Sequence, residues 1–430
     1  MTNLSELYDL YLNSSSVSID SRSVMPGAIF FGLKGDQFDG NKFAGQALDN
    51  GAAFAIVDDP DCCIGNRFIL VRNSLETLQQ LAAVHREKMD VIVIAITGSN
   101  GKTTTKELTG AVLSTSFNTV VTPGNLNNHI GVPLILLTLD SKTEFAVVEM
   151  GANHPGEIAS LCEIACPNYG LITNIGKAHL EGFGGYQGVI RAKSELYQYI
   201  RKTNGTVFYN LEDKLLSELS AGINRISYGI SDQADCRGML VSSYPELKVN
   251  WQCLGEMGEI ETHMPGEYNF ENIMAAICVS SFFKVQSDKI KHAVGSYIPA
   301  NNRSQQMDTG RNKLVLDAYN ANPSSMRAAL ENFYRMPGMD KMVILGDMME
   351  LGEYSAAEHS AIVSLLGNML FDNIILIGGH FLGVSDSLDA MCFSDTMEAA
   401  DWLAKNPPKG KTILLKGSRK MELEKLLSIL

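Results

Sequence analysis

The segment that most limits the fold is TGSNGKTTT at 97–105, which lies between an apolar run and a helix-forming stretch. The apolar run is VIVIAI at 91–96, and it predicts a buried strand. A strand, a glycine-rich turn and a helix in this order predict a loop that places backbone N–H groups at a helix N-terminus. Such a loop is typical of a phosphate-binding site, so we expect the chain to bind ATP or GTP.

Each residue type in this loop is suited to holding phosphate. Gly98 and Gly101 let the backbone close around phosphate oxygens, Lys102 places a cation beside them, and the Thr103 hydroxyl can hold Mg²⁺. The usual G-x-x-x-x-G-K-[ST] pattern has glycine where Ile96 stands here, which indicates a narrower family than NTPases in general. The alternative is a glycine-rich turn that caps a helix without nucleotide. The predicted nucleotide-binding residues of the loop are Gly98, Ser99, Asn100, Gly101, Lys102, Thr103 and Thr104.

Composition and charge argue against several classes of protein. At 430 residues with a hydrophobic fraction of 45%, the chain is long enough for about two to four globular domains. Its net charge of −13 argues against attraction to nucleic acid or to an anionic membrane. The N-terminus has no basic region followed by an apolar core, and no apolar run is long enough to span a bilayer. We therefore expect a cytoplasmic protein that binds neither nucleic acid nor membrane.

The eight cysteines are scattered without the paired spacing of a zinc site. We expect them to be reduced residues of the core. Cys162 and Cys166 are one helical turn apart, and a metal or redox role for this pair is the alternative to ordinary packing.

Alternating strand and helix patterns predict an α/β protein of three domains. Residues 1–85 contain short apolar runs between Gly, Asp and Asn turns, which predict a small N-terminal α/β domain. In residues 86–298 apolar strands alternate with helical segments, which predicts a central parallel sheet with helices on both faces. The strands of residues 299–430 each end in a polar or glycine-rich turn. They predict a doubly wound, Rossmann-like C-terminal domain with its ligand edge at the strand carboxyl ends.

Polar residues follow the predicted strands of the central segment. Glu149 closes FAVVEM at 145–150, so we expect its carboxylate at the same sheet edge as the phosphate loop, where it could ligate Mg²⁺. His179 follows YGLITNI at 169–175 and could coordinate a second metal ion through a neutral ring nitrogen. A solvated acid and an ordinary histidine are the alternatives. Lys193, in the helix-like GVIRAKSELYQYI, is by itself more typical of a solvated surface lysine.

Several residues and motifs together carry a resemblance to a known family: Lys102, Glu149, His179, Lys193, GEYNFENIMAA, NNRSQ and DAYNANPSS. In this order, and over essentially the whole chain, they resemble the ATP-dependent Mur ligases. Within that family, five segments are most similar to the members that add D-alanyl-D-alanine to UDP-MurNAc-tripeptide: TPGNLNNHIGVPLILL, VVEMGANHPGEI, TNIGKAHLEGFG, YNANPSSM and ILGDMMELGEYS.

The resemblance implies a UDP-substrate domain, a central ATPase domain and a Rossmann-like C-terminal domain that closes over the nucleotide. It implies that Asn272 meets adenine, and that Arg303 and Asp317 contact phosphate and ribose from the interdomain cleft. UDP would be received in the first domain by Ser21, Arg22, Asp39 and Gly40. The muramoyl end would be held by Asn125, Asn127 and Asn128. Two further residues expected to bind substrate are Asn320 and Asn322.

The resemblance also implies a metal-assisted reaction with ATP and Mg²⁺ as cofactors. Lys193 matches a lysine that this family carbamylates, which would turn a cation into a carboxylate that bridges toward a second Mg²⁺. The expected catalytic residues are Lys102, Lys193 and His179. The expected metal ligands are Thr103, Glu149, His179 and Lys193.

The implied reaction is amide ligation through an acyl phosphate. The terminal carboxylate of the tripeptide would attack the γ phosphate, and the amine of D-alanyl-D-alanine would then attack the activated carbonyl. The product would be UDP-MurNAc-pentapeptide for peptidoglycan synthesis. We expect a monomer, because no long exposed apolar stripe or heptad run requires a partner.

Three other functions are compatible with parts of the sequence. The first is another Mur ligase or a folylpolyglutamate synthetase-like ligase, although GNLNNHIG, YNANP and GDMMELGEYS favour the dipeptide-adding member. The second is a P-loop kinase or ATPase without ligation, which would explain TGSNGKTTT but not the long C-terminal α/β segment. The third is a nucleotide-binding regulator that has lost catalysis.

Overall fold

The computed structural model describes residues 3–35, 37–299, 305–338 and 340–430. Within these ranges the chain is an α/β protein with a separate parallel-rich sheet in each of its N-terminal, middle and C-terminal parts, as the sequence predicts. No helix in the described part of the chain has both the length and the apolar character needed to cross a membrane.

The N-terminal part is built on a small parallel sheet. Its strands lie in the order β1-β2-β5-β6, and β3 and β4 form a separate antiparallel pair. Helix α3 begins after Asn73, whose side chain accepts a hydrogen bond from the Glu76 N–H and so caps the helix. The elements are α1 (Leu4–Leu12), β1 (Val17–Ser18), β2 (Ile29–Phe31), β3 (Lys34–Gly35), β4 (Phe38–Asp39), α2 (Ala44–Asp49), β5 (Phe54–Val57), β6 (Phe68–Leu70) and α3 (Ser74–Lys88).

The middle part carries the largest sheet, with the order β15-β14-β13-β12-β11-β10-β7-β9-β8. Its elements begin with β7 (Ile92–Thr97), α4 (Lys102–Leu113), β8 (Thr119–Val121), α5 (Gly131–Leu136), β9 (Phe145–Glu149), α6 (Glu157–Ala165), β10 (Tyr169–Ile172), α7 (Leu180–Phe183) and α8 (Tyr186–Lys202). They continue with β11 (Thr206–Asn210), α9 (Lys214–Leu219), β12 (Asn224–Gly229), β13 (Cys236–Ser242), β14 (Lys248–Cys253), β15 (Glu256–Glu261), α10 (Asn269–Phe282) and α11 (Ser287–Gly295).

Both faces of the middle sheet are buried, which explains the unbroken apolar run in β7. Ile94 and Ile96 pack into one core with residues of α4 and α10, whereas Val93 and Ala95 pack into another with residues of α6 and α8. Successive side chains of a strand point to opposite faces, so a strand between two helical layers needs apolar residues at every position. The predicted arrangement of helices on both faces is confirmed.

The middle sheet is mainly parallel, as predicted, and departs from that arrangement at one edge. Strand β14 runs antiparallel to both of its neighbours, β13 and β15. The turn between β14 and β15 consists of Leu254 and Gly255, both with positive φ (51° and 94°). Such a two-residue turn reverses the chain directly and leaves no length for a crossover helix.

The prediction that all eight cysteines are reduced is wrong for one pair. Cys236 and Cys253 lie directly opposite each other in β13 and β14 and are joined by a disulfide. Their pairing depends on strand register and cannot be read from their spacing. Cys162 and Cys166 remain free thiols, and Cys162 is buried in the core beside Met150, which is ordinary packing.

The C-terminal part is a doubly wound sheet in the order β16-β17-β21-β18-β19-β20, parallel except for β16. Its strands lead into loops at one edge, as the Rossmann-like prediction requires. The elements are β16 (Gln305–Asp308), β17 (Lys313–Asp317), α12 (Pro323–Arg335), β18 (Lys341–Gly346), α13 (Ser355–Gly367), β19 (Asn373–Ile377), α14 (Gly379–Leu382), β20 (Met391–Phe393), α15 (Thr396–Lys405) and β21 (Thr412–Lys416).

Candidate active site

The glycine-rich segment forms the predicted loop between β7 and α4. β7 ends at Thr97 and α4 begins at Lys102, with Gly101 as its N-cap at a φ of +78°. The first N–H groups of any α-helix have no carbonyl of their own helix to bind, and the helix dipole places partial positive charge at the same end. The geometry therefore offers oriented donors to an anion.

Two residues that follow β10, Thr173 and Asn174, hold this loop by hydrogen bonds. The Thr173 hydroxyl donates a 2.6 Å hydrogen bond to the Asn100 carbonyl, and the Asn100 N–H donates to Asn174 Oδ1 at 3.1 Å. The Ser99 N–H donates to the Asn174 carbonyl at 2.9 Å. The loop is therefore held in shape by β10, its neighbour in the sheet.

We expect Gly98→Ala to weaken nucleotide binding at least tenfold. Gly98 has a φ of +141°, and a Cβ at this position would lie 2.0 Å from Thr173 Oγ1. The substitution would displace the hydroxyl that holds the loop and would add strain of about 1–3 kcal/mol. Calorimetric titration with ADP measures the effect. Gly222→Ala is the matched control, because Gly222 also has a positive φ of +75° but nothing lies within 4 Å of its Cβ position. Equal ADP affinity in the two variants would contradict the prediction.

A cavity of about 1110 Å³ opens at the loop, between the middle and C-terminal parts. It brings together most of the residues predicted from the sequence. Those that line it are Ser99, Asn100, Gly101, Lys102, Thr103, Thr104, Asn125, Asn127, Asn128, Glu149, His179, Asn272, Asp317, Asn320 and Asn322.

Lys102 lies at the mouth of the loop and contacts the loop itself. Its Nζ donates to the Gly98 carbonyl at 2.8 Å and to the Ser99 carbonyl at 3.2 Å. The ammonium group is therefore held next to the N–H groups that would meet a phosphate.

Glu149 ends β9 directly beside β7, and the register pairs it with Ile96. The side chain is 1% exposed, and its Oε1 accepts a 2.7 Å hydrogen bond from Asn127 Nδ2. Its Oε2 is buried and has no hydrogen-bond partner in the described part of the chain. A buried carboxylate oxygen without a donor is costly unless a cation satisfies it. Glu149 therefore fits a metal ligand better than a solvated acid.

His179 lines the same cavity from the N-terminus of α7. Its backbone is left-handed, with a φ of +52°, and its side chain is 22% exposed. Its Nδ1 lies 2.5 Å from Glu350 Oε2, which belongs to the C-terminal part. The ring is therefore fixed by a contact that crosses between the two parts of the molecule.

Lys193 is a core residue, which excludes the solvated surface lysine that its residue type alone favours. Its side chain is 1% exposed, and its Nζ lies 3.4 Å from the Ala152 carbonyl and 5.3 Å from the centre of the Phe183 ring. Burial and the nearby Lys102 cation lower the pKa of Lys193 to about 7. The helix period could have revealed this position, because Val189 and Leu196 precede and follow it on the buried face of α8.

Three of the four predicted metal ligands, Thr103, Glu149 and His179, line the cavity. The one compact group of three potential ligands in the described ranges is Cys236, Cys253 and Cys278, which lies away from the cavity and includes the disulfide. Mg²⁺ usually takes one or two protein carboxylates and completes its shell with water and substrate phosphates, and Glu149 is the one carboxylate among the predicted ligands.

The C-terminal part closes one side of the cavity. Asn322 Nδ2 donates to Asn100 Oδ1 at 2.8 Å, so a residue of the YNANP motif contacts the phosphate loop directly. The Ser324 hydroxyl accepts a 2.9 Å hydrogen bond from the Lys177 N–H. The same Lys177 pairs with Glu358 at 2.5 Å.

Asp317 is paired with a lysine that the sequence analysis did not single out. Lys416 Nζ lies 2.5 Å from Asp317 Oδ2, and both residues line the cavity. They end the neighbouring strands β17 and β21, where the register places them side by side. The lysine at the end of TILLK was the available signal, because a charged residue at a strand carboxyl end faces the ligand edge.

Asn272 lies against the opposite side of the loop. Its Oδ1 accepts a hydrogen bond from the Thr105 hydroxyl at 3.0 Å, and a Cβ on Gly101 would come within 2.3 Å of that oxygen. The side chain is buried and its Nδ2 donates to Asn269 Oδ1 at 2.9 Å. Asn272 therefore holds the start of α4 as well as lining the cavity.

The predicted residues of the N-terminal part do not line this cavity, and most have local partners. The Ser21 hydroxyl donates to Gln46 Oε1 at 3.1 Å, and Arg22 is paired with Asp20 at 2.7 Å. Asp39 Oδ1 accepts from the backbone N–H of Asn41 at 3.1 Å. A Cβ on Gly40 would lie 2.4 Å from the Leu33 carbonyl oxygen, so that glycine is needed for packing. Arg303 lies outside the described residues.

Family models match three consecutive parts of the chain. The model described as Mur ligase family, catalytic domain, matches 13–89, that of the Mur ligase middle domain matches 96–280, and that of the Mur ligase, glutamate ligase domain, matches 302–419. A Bacillus subtilis relative named UDP-N-acetylmuramoyl-tripeptide–D-alanyl-D-alanine ligase is 33% identical, over 96% of this chain and 92% of the relative.

Solved structures of similar proteins match over nearly the full length. MurF from Acinetobacter baumannii is 31% identical with a TM-score of 0.88, covering 99% of this chain and 98% of the other. MurF ligase from Thermotoga maritima in complex with ADP is 28% identical with a TM-score of 0.85, covering 100% of this chain and 98% of the other. With three matching domain models, a full-length relative above 30% identity and a phosphate loop that lacks the first glycine, the chain belongs to the Mur ligase family.

Proposed function

We infer that this chain is an ATP-dependent ligase that joins D-alanyl-D-alanine to UDP-MurNAc-tripeptide and so makes UDP-MurNAc-pentapeptide for peptidoglycan synthesis. The single observation that carries the inference is the cavity, in which a phosphate loop, a buried carboxylate and the YNANP segment meet. The full-length similarity to ligases of that name selects the substrates.

ATP would bind with its phosphates at the N-terminus of α4. The first-turn N–H groups and Lys102 would meet the phosphate oxygens, and Asn272 would lie near adenine. Asp317 and Arg303 would contact ribose and phosphate from the C-terminal side. The similarity to an ADP complex supports nucleotide binding.

The UDP-MurNAc-tripeptide would extend from the N-terminal part into the cavity. We propose that Ser21, Arg22, Asp39 and Gly40 receive the UDP group. The muramoyl end would be held by Asn125, Asn127 and Asn128, whose segment is tied to the metal-binding edge because Asn127 donates to Glu149 and accepts from the Gly151 N–H at 2.7 Å. Asn320 and Asn322 would contact substrate from the C-terminal side.

Two Mg²⁺ ions would be held among Thr103, Glu149, His179 and a carbamylated Lys193. When bound, they would reduce the repulsion between the phosphates and the attacking carboxylate. The unpartnered Oε2 of Glu149 supports this assignment. The amine of Lys193 is neutral above a pH of about 7, and the neutral amine is the form that adds CO₂ and releases a proton.

The reaction requires in-line attack of the tripeptide carboxylate on the γ phosphate. A carboxylate is a poor electrophile, and its phosphorylation supplies the leaving group. Lys102 and the N-terminus of α4 would stabilise the charge that spreads over the transferring phosphoryl group. The amine of D-alanyl-D-alanine would then attack the acyl phosphate, and phosphate would leave as the amide forms.

The docked C-terminal part would exclude water from the acyl phosphate. Contacts from Asn322 to Asn100 and from Lys177 to Glu358 hold it against the phosphate loop. A site closed in this way disfavours hydrolysis of a reactive intermediate. The domain boundaries at 85/86 and 298/299, a monomeric state and a cytoplasmic location remain predictions.

The test is phosphate release by the purified protein with ATP, Mg²⁺, UDP-MurNAc-tripeptide and D-alanyl-D-alanine, omitting each in turn, with mass analysis of the product. We expect release to require every component and the product to have the mass of UDP-MurNAc-pentapeptide. Release without either peptide substrate would instead indicate a plain ATPase. Activity only with another amino acid or with folate would indicate a different ligase of this fold.

A further inference from the structure

The loop that follows β18 contacts the middle part at α7. The Glu350 carbonyl accepts a 3.2 Å hydrogen bond from the Glu181 N–H. Gly352, with a φ of +53°, comes so close that its Cβ position would lie 3.1 Å from Glu181 Cβ. A backbone hydrogen bond and a close approach within three residues fix this loop on the start of α7.

Two residues in left-handed backbone conformations face each other at this contact. His179 has a φ of +52° and Glu350 a φ of +63°. Neither is glycine, and non-glycine residues adopt this region only when the surroundings hold them there, often at functional sites. The result is the 2.5 Å approach of Glu350 Oε2 to His179 Nδ1.

This approach assigns different roles to the two ring nitrogens of His179. Nδ1 is buried and makes no hydrogen bond of good geometry in the described part of the chain, so the Glu350 carboxylate, which can only accept, is the acceptor placed to receive its proton. In the neutral ring, a proton on Nδ1 leaves Nε2 with its lone pair, which is the form of imidazole that binds a metal. Histidine ligands of metals commonly donate their other ring N–H to a carboxylate, which fixes both tautomer and orientation.

We propose that Glu350 is a positioning residue that orients His179 as a metal ligand, and that docking of the C-terminal part thereby completes the metal site. The proposal rests on the proposed function, since it assumes metal at His179 and Glu149. Its consequence is that the metal site is complete only when the water-excluding contacts are also formed. Acyl-phosphate formation is then confined to the closed molecule.

The test compares the wild type with variants of Glu350. Mn²⁺ binding to each protein is measured by electron paramagnetic resonance in the presence of β,γ-methylene-ATP. Glu350→Asn is the main variant, because asparagine tolerates a left-handed φ but is one methylene too short to keep the contact. We expect the weaker class of Mn²⁺ sites to lose about 10–100-fold in affinity. The nitrogen coupling of a histidine ligand to Mn²⁺ should disappear as well.

Two further variants separate positioning from simple docking. Glu350→Gln retains an acceptor oxygen at full length, so we expect it to keep the nitrogen coupling and most of the affinity. Arg335→Gln breaks the exposed interdomain pair of Arg335 with Glu267, 2.8 Å apart, without touching a site residue, and should bind Mn²⁺ as the wild type does. Glu149→Gln alters a proposed metal ligand directly, so it shows how much Mn²⁺ affinity is lost when a ligand is changed. If Glu350→Asn does not fold, Glu350→Gly replaces it, since glycine also accepts this φ.

Unchanged Mn²⁺ affinity and an intact nitrogen coupling in Glu350→Asn would overturn the proposal. An equal loss in Glu350→Asn and Arg335→Gln would also overturn it, since general docking would then explain both. If the wild type binds Mn²⁺ with nitrogen coupling but makes no pentapeptide, the proposed reaction is rejected. The role of Glu350 in metal binding is still tested by the variants in that case.

Discussion

Replacement of Lys193 by methionine should stabilise the protein while reducing ligation at least about 10³-fold. The side chain is 1% exposed, and burial with the nearby Lys102 lowers its pKa from 10.5 to about 7. A pKa shift of this size means that the folded state is destabilised by about a few kcal/mol when the amine of Lys193 is charged. Methionine has a similar length and no charge, so it removes that cost. It also removes the amine that would be carbamylated, and with it a ligand of the second metal.

The sign of the pH dependence follows from the lowered pKa. Below a pH of about 7 Lys193 is charged in both the folded and the unfolded chain, so the folded state bears the full cost of burial. Between about 7 and 10.5 the unfolded chain binds a proton that the folded chain lacks, so stability rises with pH. The advantage of Lys193→Met should therefore be largest near pH 6.5 and should shrink by pH 9.

Thermal unfolding in CO₂-free, metal-free buffer measures this difference. We expect the transition of the middle part to rise by roughly 5 °C or more at pH 6.5, since each kcal/mol shifts a domain of this size by about 2–4 °C. Activity is followed by pentapeptide formation with saturating substrates. A variant that is less stable than the wild type at pH 6.5, or that retains a tenth of its activity, would show that Lys193 has been assigned the wrong role.

The parts of the site that the sequence predicts are those set by neighbouring parallel strands. β7, β9 and β10 lie side by side, so the loop after β7, Glu149 at the end of β9 and His179 in the segment after β10 share one edge. A residue at the carboxyl end of a parallel strand can therefore be placed at the ligand edge of an α/β sheet from the sequence alone.

The parts that the sequence does not predict depend on contacts between distant segments. Lys416 meets Asp317 only because β21 inserts between β17 and β18. Glu350 reaches His179 only because the C-terminal part docks on α7. The residue type of Lys193 favours the surface, and only the resemblance pointed to a role in the site; its place on the apolar face of α8 outweighs the preference of the residue type. Residue type and spacing do not encode which surfaces of two domains meet.

Replacement of Lys102 by methionine should reduce kcat about 10³-fold with a smaller change in ATP affinity. The first turn of α4 keeps its N–H groups for the bound phosphates, but the cation that would stabilise the transferring phosphoryl group is lost. Removal of one oriented donor commonly costs 10²–10³ in rate, and a charged donor lies at the upper end of that range. Lys214→Met, at an exposed lysine of α9 outside the cavity, is the control.

The two lysines are coupled, and a double variant tests that coupling. Lys102 is the second cause, after burial, of the lowered pKa of Lys193, so its loss should make Lys193 more basic and less available for carbamylation. If both act in one metal-assisted step, the double variant of Lys102 and Lys193 should be little slower than the worse single variant. If the fold losses in kcat of the two single variants multiply in the double variant, the two lysines support separate steps. If Lys102→Met keeps more than a tenth of the wild-type kcat, the role of Lys102 at the γ phosphate is rejected. The non-additive outcome would place both side chains around a single transferring phosphoryl group.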